Sequence, residues 1–318
     1  MWDRENISPP VLIDDATVAR LLAPAEVRDV IAGAFTDPSV APARLVAEVQ
    51  EGERRSRTLL AMPALRRNGL AIVKVVCVIR DETTRLASHL LALSERGELL
   101  AVIASETLTA RRTAAASVLA AQTLGCGGAR RLAVIGAGRQ AKAQFQAFAA
   151  ALPLKHVALW ARRTDAAKDL AVFAREHVRS VRIAASPGDA IRDVDLVTCA
   201  TGATAPLICG ADTAPGTHVD LVGGFRPDMR EADDALISRA SITIDCAAAL
   251  REAGDLVQPI ANGVLDPARV HLLADLLRGR PSRPDAEVSV FKSVGHAAED
   301  LVVAERLVMK LGLGGSRR

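Results

Sequence analysis

With 318 residues, half of them apolar, the chain is long enough to bury a sizeable core and to divide into two domains. Its charged fraction of 24% is ordinary for a soluble globular protein, and a net charge of only +3 argues against a nucleic-acid-binding protein. Aromatic residues are scarce and tyrosine is absent, which argues against base stacking and excludes dehydrogenases that use a catalytic tyrosine.

Neither the cysteines nor the N-terminus indicates secretion or metal binding. The five cysteines are odd in number and form no CxxC pair, so we expect no disulfide framework and no metal site. Residues 1–10 carry acidic side chains and prolines where a signal peptide needs an apolar stretch. No apolar run approaches the roughly 20 residues that span a bilayer. We therefore expect a cytoplasmic protein with no membrane partner.

The first hundred residues are predicted to form a mixed α+β unit. A short apolar strand at 11–13 precedes a helix that begins near Pro24. Further apolar β-like runs follow at 44–49, 58–62, 70–79, 89–93 and 99–104. Because turn residues rather than helices separate these runs, we expect a largely antiparallel sheet.

From residue 106 onwards the pattern becomes α/β. An alanine-rich segment at 106–124 predicts a long connecting helix, and residues 296–311 predict a final helix that packs back on the first domain. Short apolar strands alternate with helices at 132–135, 157–160, 181–184, 196–200, 218–222 and 242–245. This alternation predicts a doubly wound parallel sheet of the Rossmann type.

The first of these strands is followed by a dinucleotide-binding motif. Gly136, Gly138 and Ala141 form a GxGxxA pattern between an apolar strand and a helix. The first glycine permits a tight turn, the second lets the backbone approach a pyrophosphate, and the small third residue allows the helix to pack on the strand. The free N–H groups at the start of the helix can then hold the diphosphate.

The end of the second strand distinguishes between the two nicotinamide cofactors. NAD-binding folds usually place a carboxylate there to bind the ribose 2′-hydroxyl. Here Ala161 is followed by Arg162, Arg163 and Thr164, which could hold a 2′-phosphate instead. We predict NADP(H), with NAD(H) as the second candidate; the alternative is two solvated arginines at the start of a helix.

Three cationic residues of the first half are candidates for a substrate site. Lys74 interrupts the apolar strand LAIVKVVCVI, where composition alone favours an edge position with the side chain in water over one lining a cleft. Arg112 lies among alanines in a predicted helix, and a solvated helix face is its simplest explanation. Arg44 begins a predicted strand.

Taken together with other motifs, these residues resemble the ornithine cyclodeaminase/mu-crystallin family from about Val11 to Leu311. The shared order and spacing of the motifs carry the resemblance, since any one of them is unspecific. The matching stretches are Ala43-Arg44, MPA at 62–64, Lys74, Ser88-His89, RRTAA at 111–115, GAGRQA at 136–141, VGGFRPDMRE at 222–231, EAGD at 252–255 and VFKSVGHAAED at 290–300.

The resemblance implies a discontinuous first domain, 1–107 with 296–318, for substrate binding and homodimerisation, and an NAD(P)-binding domain at 108–295. It implies that Arg44 and Arg112 bind the substrate carboxylate and that Lys74 contacts the carboxylate and the reacting nitrogen. The implied pocket residues are Met62, Ser88, His89 and Phe225. The predicted cofactor-binding residues are Gly136, Gly138, Arg139, Gln140, Ala141, Arg162, Arg163, Thr164, Thr201, Val222 and Gly223.

One departure from the family pattern bears on the reaction. Cyclodeaminases of the family carry a catalytic aspartate where this chain has Phe225, so the resemblance is to its ketimine reductases. Asp228 and Glu231 lie close enough in sequence to serve as a displaced carboxylate. Lys292, Glu299 and Asp300 are interpreted as closing the pocket or capping the last helix; they are not predicted to be catalytic.

The predicted function is NADP(H)-dependent reduction of a cyclic ketimine carboxylate. Δ1-Pyrroline-2-carboxylate would give L-proline, and Δ1-piperideine-2-carboxylate would give L-pipecolate. Three alternatives remain at this point: an ornithine cyclodeaminase with bound NAD, an enzyme like alanine dehydrogenase, and a non-enzymatic NADP-gated protein that binds a small ligand as mu-crystallin does.

Overall fold

The computed structural model describes residues 9–51, 55–81, 84–279 and 286–313. These residues form two compact units, one within Met1–Arg112 and His296–Arg318 and the other within Thr113–Gly295. None of the helices in the described ranges is long and apolar enough to cross a membrane.

The first unit combines a six-stranded β-sheet with short helices from the N-terminal part of the chain and one longer helix from its C-terminal part. Its elements are β1 (Val11–Ile13), α1 (Asp15–Leu21), α2 (Pro24–Ile31), α3 (Gly33–Thr36), β2 (Leu45–Gln50), β3 (Ser56–Leu65), β4 (Ala71–Arg80), β5 (Thr84–Leu93), β6 (Leu99–Ala104) and α12 (Ala297–Lys310). Helix α4 (Glu106–Thr123) begins in this unit and continues into the second.

The sheet of the first unit has the strand order β1-β6-β5-β4-β3-β2. Only the β1–β6 pair is parallel; the other pairs are antiparallel, which confirms the predicted sheet type. Successive side chains along a strand point to opposite faces. On β3, β4 and β5 the even-numbered residues form the buried face of the sheet. Helix α12 packs against β3 and β4.

The second unit contains the predicted alternation of strands and helices. Its elements are β7 (Arg131–Ile135), α5 (Arg139–Ala151), β8 (His156–Trp160), α6 (Thr164–Ala174), β9 (Ser180–Ile183), α7 (Pro187–Ile191), β10 (Leu196–Cys199), β11 (His218–Leu221), α8 (Asp234–Ser238), β12 (Ala240–Ile244), α9 (Ala249–Glu252), α10 (Gly254–Ala261), β13 (His271–Leu272), α11 (Leu273–Leu277) and β14 (Val288–Lys292).

All strand pairs of the second sheet are parallel, in the order β13-β12-β14-β11-β10-β7-β8-β9. The order reverses between β7 and β10, which is the switch point where open α/β sheets bind ligands beyond the carboxyl ends of their strands. Two apolar clusters form the core of this unit. The predicted α/β Rossmann-type fold is thereby confirmed.

Strand β14 was not among the predicted strands, although it lies in the middle of the sheet between β11 and β12. Its sequence VSVFK places one polar residue on each face, Ser289 on one and Lys292 on the other, and so lacks the continuous apolar run typical of a strand buried on both faces. Both polar side chains are nevertheless buried. The pattern misleads because each has a specific polar partner inside the protein.

Candidate functional site

The turn between β7 and α5 has the backbone form that a dinucleotide requires. Gly136 has φ +114°, and a Cβ there would lie 2.5 Å from the carbonyl oxygen of Ala200. Gly138 precedes the first turn of α5, and a Cβ there would meet nothing within 4 Å. Ala141 is fully buried. The residues therefore fit a diphosphate bound by the N–H groups of an open helix N-terminus.

The predicted 2′-phosphate residues lie on the surface directly after β8. Arg162, Arg163 and Thr164 are exposed, and Arg163 is the N-cap of α6. The carboxylate that follows, Asp165, is turned outward to Lys168, with 3.7 Å between Oδ1 and Nζ. Two guanidinium groups at the end of the second strand can meet a phosphate without a competing carboxylate on the strand itself.

Beyond the ends of β10 and β11, a buried set of charged residues holds the backbone; we call Glu231, Asp255 and Lys292 the loop network. Glu231 accepts hydrogen bonds from the backbone N–H and the hydroxyl of Thr201, each 2.8 Å, and from the N–H of Gly223 at 2.7 Å. Asp255 accepts from the N–H groups of Glu231 and Ala232 at 2.7 and 2.9 Å.

Lys292 supplies the positive charge of the loop network. Its Nζ lies 3.1 Å from Oδ2 of Asp255 and donates to the carbonyl oxygen of Gly223 at 3.4 Å. The contact with Asp255 is an ion pair off the ideal hydrogen-bond direction, since no hydrogen bond reaches Oδ2. Burial raises the pKa of Glu231 to about 7; the charge of Lys292 acts against this shift and that of Asp255 adds to it.

Two glycines let the chain after β11 lie directly on these charges. A Cβ at Gly223 would lie 2.2 Å from Oε1 of Glu231, and one at Gly224 would lie 2.2 Å from Oδ2 of Asp255. Thr201 and Val222, both predicted to contact the cofactor, are half-buried in the same region. Phe225, predicted to line the substrate pocket, follows with 42% of its surface exposed.

The structure shows what three acidic residues of this region do. Asp255 is a buried member of α10. Glu231 cannot act as a displaced general base while its carboxylate holds Thr201 and Gly223. Asp228 is exposed and pairs with Arg226 at 2.7 Å.

In the first unit, four charged side chains form what we call the buried cluster: Lys74, Arg112, Glu299 and Asp300. Oδ1 of Asp300 accepts hydrogen bonds from Nζ of Lys74 at 3.0 Å and from Nε of Arg112 at 3.1 Å. Oε2 of Glu299 accepts from Nη1 of Arg112 at 2.8 Å. None of the four side chains is more than 6% exposed.

The positions of the two cations differ from what composition favoured. Lys74 lies on β4, between β3 and β5, so the prediction of an edge strand was wrong. Arg112 is buried on α4, so the solvated helix face was wrong as well. Both side chains tolerate burial because α12 brings two carboxylates to them.

Burial and charge act against each other on these groups. Burial lowers the pKa of Lys74 from 10.5 to about 8, although the charge of Asp300 favours the protonated amine. Burial acts to raise the pKa of Asp300, but the charges of Arg112 and Lys74 outweigh it and hold the pKa below the ordinary value of 3.8. Asp300 is therefore ionised at neutral pH.

The other predicted pocket residues divide between the two faces of the sheet. Met62 is paired in register with Lys74, and Ser88 with Val76, so both share the buried face with the lysine. His89 is paired with Val75 and is exposed on the opposite face, so the structure does not bring it to Lys74. Arg44 precedes β2 and is half-buried.

Glu299 and Asp300 are the site residues that sequence reasoning undervalued. Glu299 caps α12, as expected, through a hydrogen bond from the N–H of His296, but it also binds Arg112. A signal was present: residues 297–304 of α12 carry apolar side chains on every side, which is typical of a fully buried helix. Carboxylates in the first turn of such a helix must be buried with a partner.

The sequence is similar to those of known imine reductases. The Δ1-pyrroline-2-carboxylate reductase of Paracoccus denitrificans is 40% identical over 214 residues, 65% of this chain and 67% of that protein. The mouse (Mus musculus) ketimine reductase mu-crystallin is 36% identical over 220 residues, 69% of this chain and 67% of that protein.

Among solved structures, the Δ1-pyrroline-2-carboxylate reductase of Thermococcus litoralis, in complex with NADH and L-proline, superposes with a TM-score of 0.87. It is 26% identical, and the match covers 96% of this chain and 99% of that one. A model of the ornithine cyclodeaminase/mu-crystallin family matches residues 12–311. The chain belongs to the ornithine cyclodeaminase/mu-crystallin family, as its motifs predicted.

Proposed function

We propose that the protein is an NADP(H)-dependent reductase of cyclic ketimine carboxylates, with Δ1-pyrroline-2-carboxylate and Δ1-piperideine-2-carboxylate as the candidate substrates. The observation that carries the proposal is the burial of Lys74 and Arg112 side by side on Asp300. Two cations held by one carboxylate in a dry site present an ordered set of donors, and a planar carboxylate is the ligand that matches a guanidinium.

In this proposal the first unit binds the substrate. Arg112 and Lys74 bind its carboxylate, and Arg44 adds a further guanidinium. The buried face around Met62 and Ser88 is the surface for the apolar ring. Positioning then accounts for much of the rate, because a bound substrate reacts in an effectively unimolecular step.

The second unit binds the dinucleotide at the turn of Gly136 and Gly138, with the 2′-phosphate on Arg162 and Arg163. When bound, the reduced nicotinamide supplies the hydride that saturates the C=N bond. The loop network fixes Thr201 and Gly223, which in this proposal contact the dinucleotide.

Phe225 favours reduction over deamination. Release of ammonia from ornithine needs a general base for the attacking amine or water, and the residue present is an apolar ring with no titratable group. The two nearby carboxylates are engaged, Glu231 with backbone and Thr201 and Asp228 with Arg226.

We further propose a homodimer formed by the first unit. The odd-numbered face of its sheet is apolar and half-exposed to exposed; we call Leu59, Ala61, Val73, Val75, Cys77 and Leu91 the open face. Neighbouring β2 adds Leu45 and Val49 to this face, exposed by 62% and 47%, since they are paired in register with Ala61 and Arg57. A contiguous apolar sheet face of this kind marks an interaction site, and a second copy offers the same apolar chemistry.

The activity is tested by following oxidation of NADPH and of NADH with pyrroline-2-carboxylate, piperideine-2-carboxylate and pyruvate plus ammonia. We expect rapid oxidation of NADPH with at least one cyclic imine. Ammonia release from ornithine without net oxidation of the cofactor would show a cyclodeaminase and overturn the proposal.

The dimer is tested by light scattering of Leu59→Lys, which adds a charge to the open face and should give a monomer. Val172→Lys is the matched control, because Val172 is an exposed apolar residue of α6 in the other unit, and it should leave the oligomeric state unchanged. A dimeric Leu59→Lys protein would contradict the proposed interface.

A further inference from the structure

Among the residues that the structure describes, Asp300 finds donors for only one of its two carboxylate oxygens. Oδ1 accepts from both Lys74 and Arg112, whereas no donor in the described part of the chain reaches Oδ2. The side chain is 0% exposed, so bulk water does not satisfy that oxygen. A buried, ionised oxygen without a donor is expensive, which points to a ligand that supplies one.

Glu299 offers no comparable oxygen. Its Oε1 accepts from the N–H of His296 and its Oε2 from Nη1 of Arg112. Of the two carboxylates in the buried cluster, Asp300 is therefore the one whose second oxygen lacks a donor among the described residues.

The charges of the buried cluster indicate what kind of ligand fits. Two cations and two carboxylates sum to zero. A 2-oxo acid would bring one uncompensated negative charge, which is costly to bury. A cyclic imino acid with a protonated nitrogen is a zwitterion, and its burial leaves the cluster neutral.

The geometry of the cluster agrees with this charge argument. Nζ of Lys74 and Oδ1 of Asp300 are 3.0 Å apart, so a positive and a negative group stand side by side. In a cyclic 2-imino acid the carboxylate and the ring nitrogen are bonded to the same carbon atom, so the opposite charges also stand side by side.

We propose that Oδ2 of Asp300 accepts the N–H of the protonated ring nitrogen and so selects cyclic imino acids over 2-oxo acids. The assignment rests on the proposed function. A 2-oxo acid would place a carbonyl oxygen against Oδ2, and two acceptors without a hydrogen between them repel each other.

The reaction balances with Asp300 ionised throughout. C2 of the ring accepts a hydride from the reduced nicotinamide, and the π pair of the C=N bond becomes the lone pair of the nitrogen. The N–H bond to Asp300 stays intact, the positive charge on nitrogen is cancelled, and the product amine takes its second proton from water. Asp300 neither donates nor accepts a proton in this step.

The inference is tested by the binding of two ligands that differ at one atom. L-Proline has a charged N–H group in its ring, whereas tetrahydrofuran-2-carboxylate has an oxygen there and the same carboxylate. Measured by calorimetry on the protein saturated with NADP⁺, the unaltered protein should prefer L-proline by roughly tenfold or more, the effect of a charge-assisted hydrogen bond.

Asp300→Asn should remove that preference, because it removes the charge, and it should bring kcat/KM for the cyclic imine closer to that for pyruvate. Glu299→Gln is the matched control for charge: it removes one negative charge from the same cluster but leaves Oδ2 of Asp300 in place, so it should keep more of the preference than Asp300→Asn does. Retention of the preference in Asp300→Asn, or its equal loss in both variants, would overturn the inference.

Thermal unfolding and NADP⁺ affinity show whether Asp300→Asn is folded. If the variant is not folded, the test is the binding of the two ligands to the unaltered protein, because equal affinities there overturn the inference. Failure of the proposed function looks different: the unaltered protein would then reduce no cyclic imine, whatever residue stands at 300.

Discussion

Nζ of Lys292 lies 3.1 Å from Oδ2 of Asp255, and neither side chain is exposed to solvent. Removing the lysine charge would leave Asp255 and Glu231 buried with no cation between them. We expect Lys292→Met to lower the free energy of unfolding by about 3–5 kcal/mol, as found when one partner of a buried pair is removed. Denaturant titration measures the change.

An exposed pair in the same region provides the control for Lys292. Arg226 and Asp228 are 2.7 Å apart with side chains 36% and 57% exposed, so Arg226→Met should change the free energy of unfolding by no more than about 1 kcal/mol. The double variant Lys292→Met/Asp255→Asn should recover part of the free energy of unfolding that Lys292→Met loses. Equal, small effects of Lys292→Met and Arg226→Met would show that the buried pair contributes no stability.

Replacing Arg162 and Arg163 together by serine should raise KM for NADPH and leave KM for NADH nearly unchanged. The physical reason is that only NADPH carries the 2′-phosphate, and loss of charge-assisted hydrogen bonds weakens binding by roughly tenfold to a hundredfold. Steady-state kinetics with both cofactors measures the ratio. Arg175→Ser, an exposed arginine that caps the other end of α6, is the control. Equal loss with both cofactors would contradict the 2′-phosphate assignment.

Lys74→Met should lower kcat with the cyclic imine by roughly a hundredfold or more, because the carboxylate loses a charged donor beside the reacting nitrogen. Affinity for NADPH should stay nearly the same, as fluorescence titration would show. An active Lys74→Met enzyme would remove the lysine from the mechanism.

The pH dependence of binding should also report on Lys74. Burial lowers the pKa of Lys74 to about 8, so the amine loses its proton as the pH rises through about 8, and affinity for a carboxylate should fall there. Tetrahydrofuran-2-carboxylate is the suitable probe, since it has no group of its own that titrates near that pH. Lys74→Met should bind it weakly and without this dependence, and an unchanged profile would contradict the assignment.

Asp220 should make the protein less stable as the pH rises from about 4 to about 6. Burial raises the pKa of Asp220 from 3.8 to about 6, against hydrogen bonds from Thr198 and Ser117. The folded state thus holds a proton that the unfolded state has already released, so unfolding becomes easier as the pH rises through this window.

Asp220→Asn should therefore raise the free energy of unfolding by about 2–3 kcal/mol at about pH 8 and have little effect at about pH 4. The hydroxyl of Thr198, which donates to Asp220 at 2.6 Å, keeps an acceptor in the amide oxygen. Asp193→Asn, at an exposed position, controls for the loss of one negative charge. A gain independent of pH would disprove the role of the buried charge.

The Rossmann half of the fold could be predicted from the sequence because its signals are local. Apolar runs of strand length alternate with helices, and Gly136 and Gly138 stand between a strand and a helix as the motif requires. Strand β14 could not be predicted in this way, since Lys292 looks solvent-facing until Asp255 is placed beside it.

The buried cluster shows why the residues of the proposed substrate site were harder to find. Lys74 and Asp300 are 226 positions apart in the chain, and no spacing rule connects them. Resemblance to a family identified Lys74 and Arg112 as candidates, whereas composition favoured a solvated position for each. The predicted roles of Arg44 and Phe225 in the substrate site remain predictions.

Helix α12 completes the first unit from the far end of the chain. During synthesis Lys74 and Arg112 leave the ribosome 226 and 188 residues before their counter-charge Asp300. Until that carboxylate arrives, the even-numbered face of the sheet would have to enclose two unpaired cations, which strongly disfavours its closure. The Rossmann unit lies in the sequence between the two segments of the first unit and can therefore fold first. The first unit can complete its fold only when α12 has been synthesised.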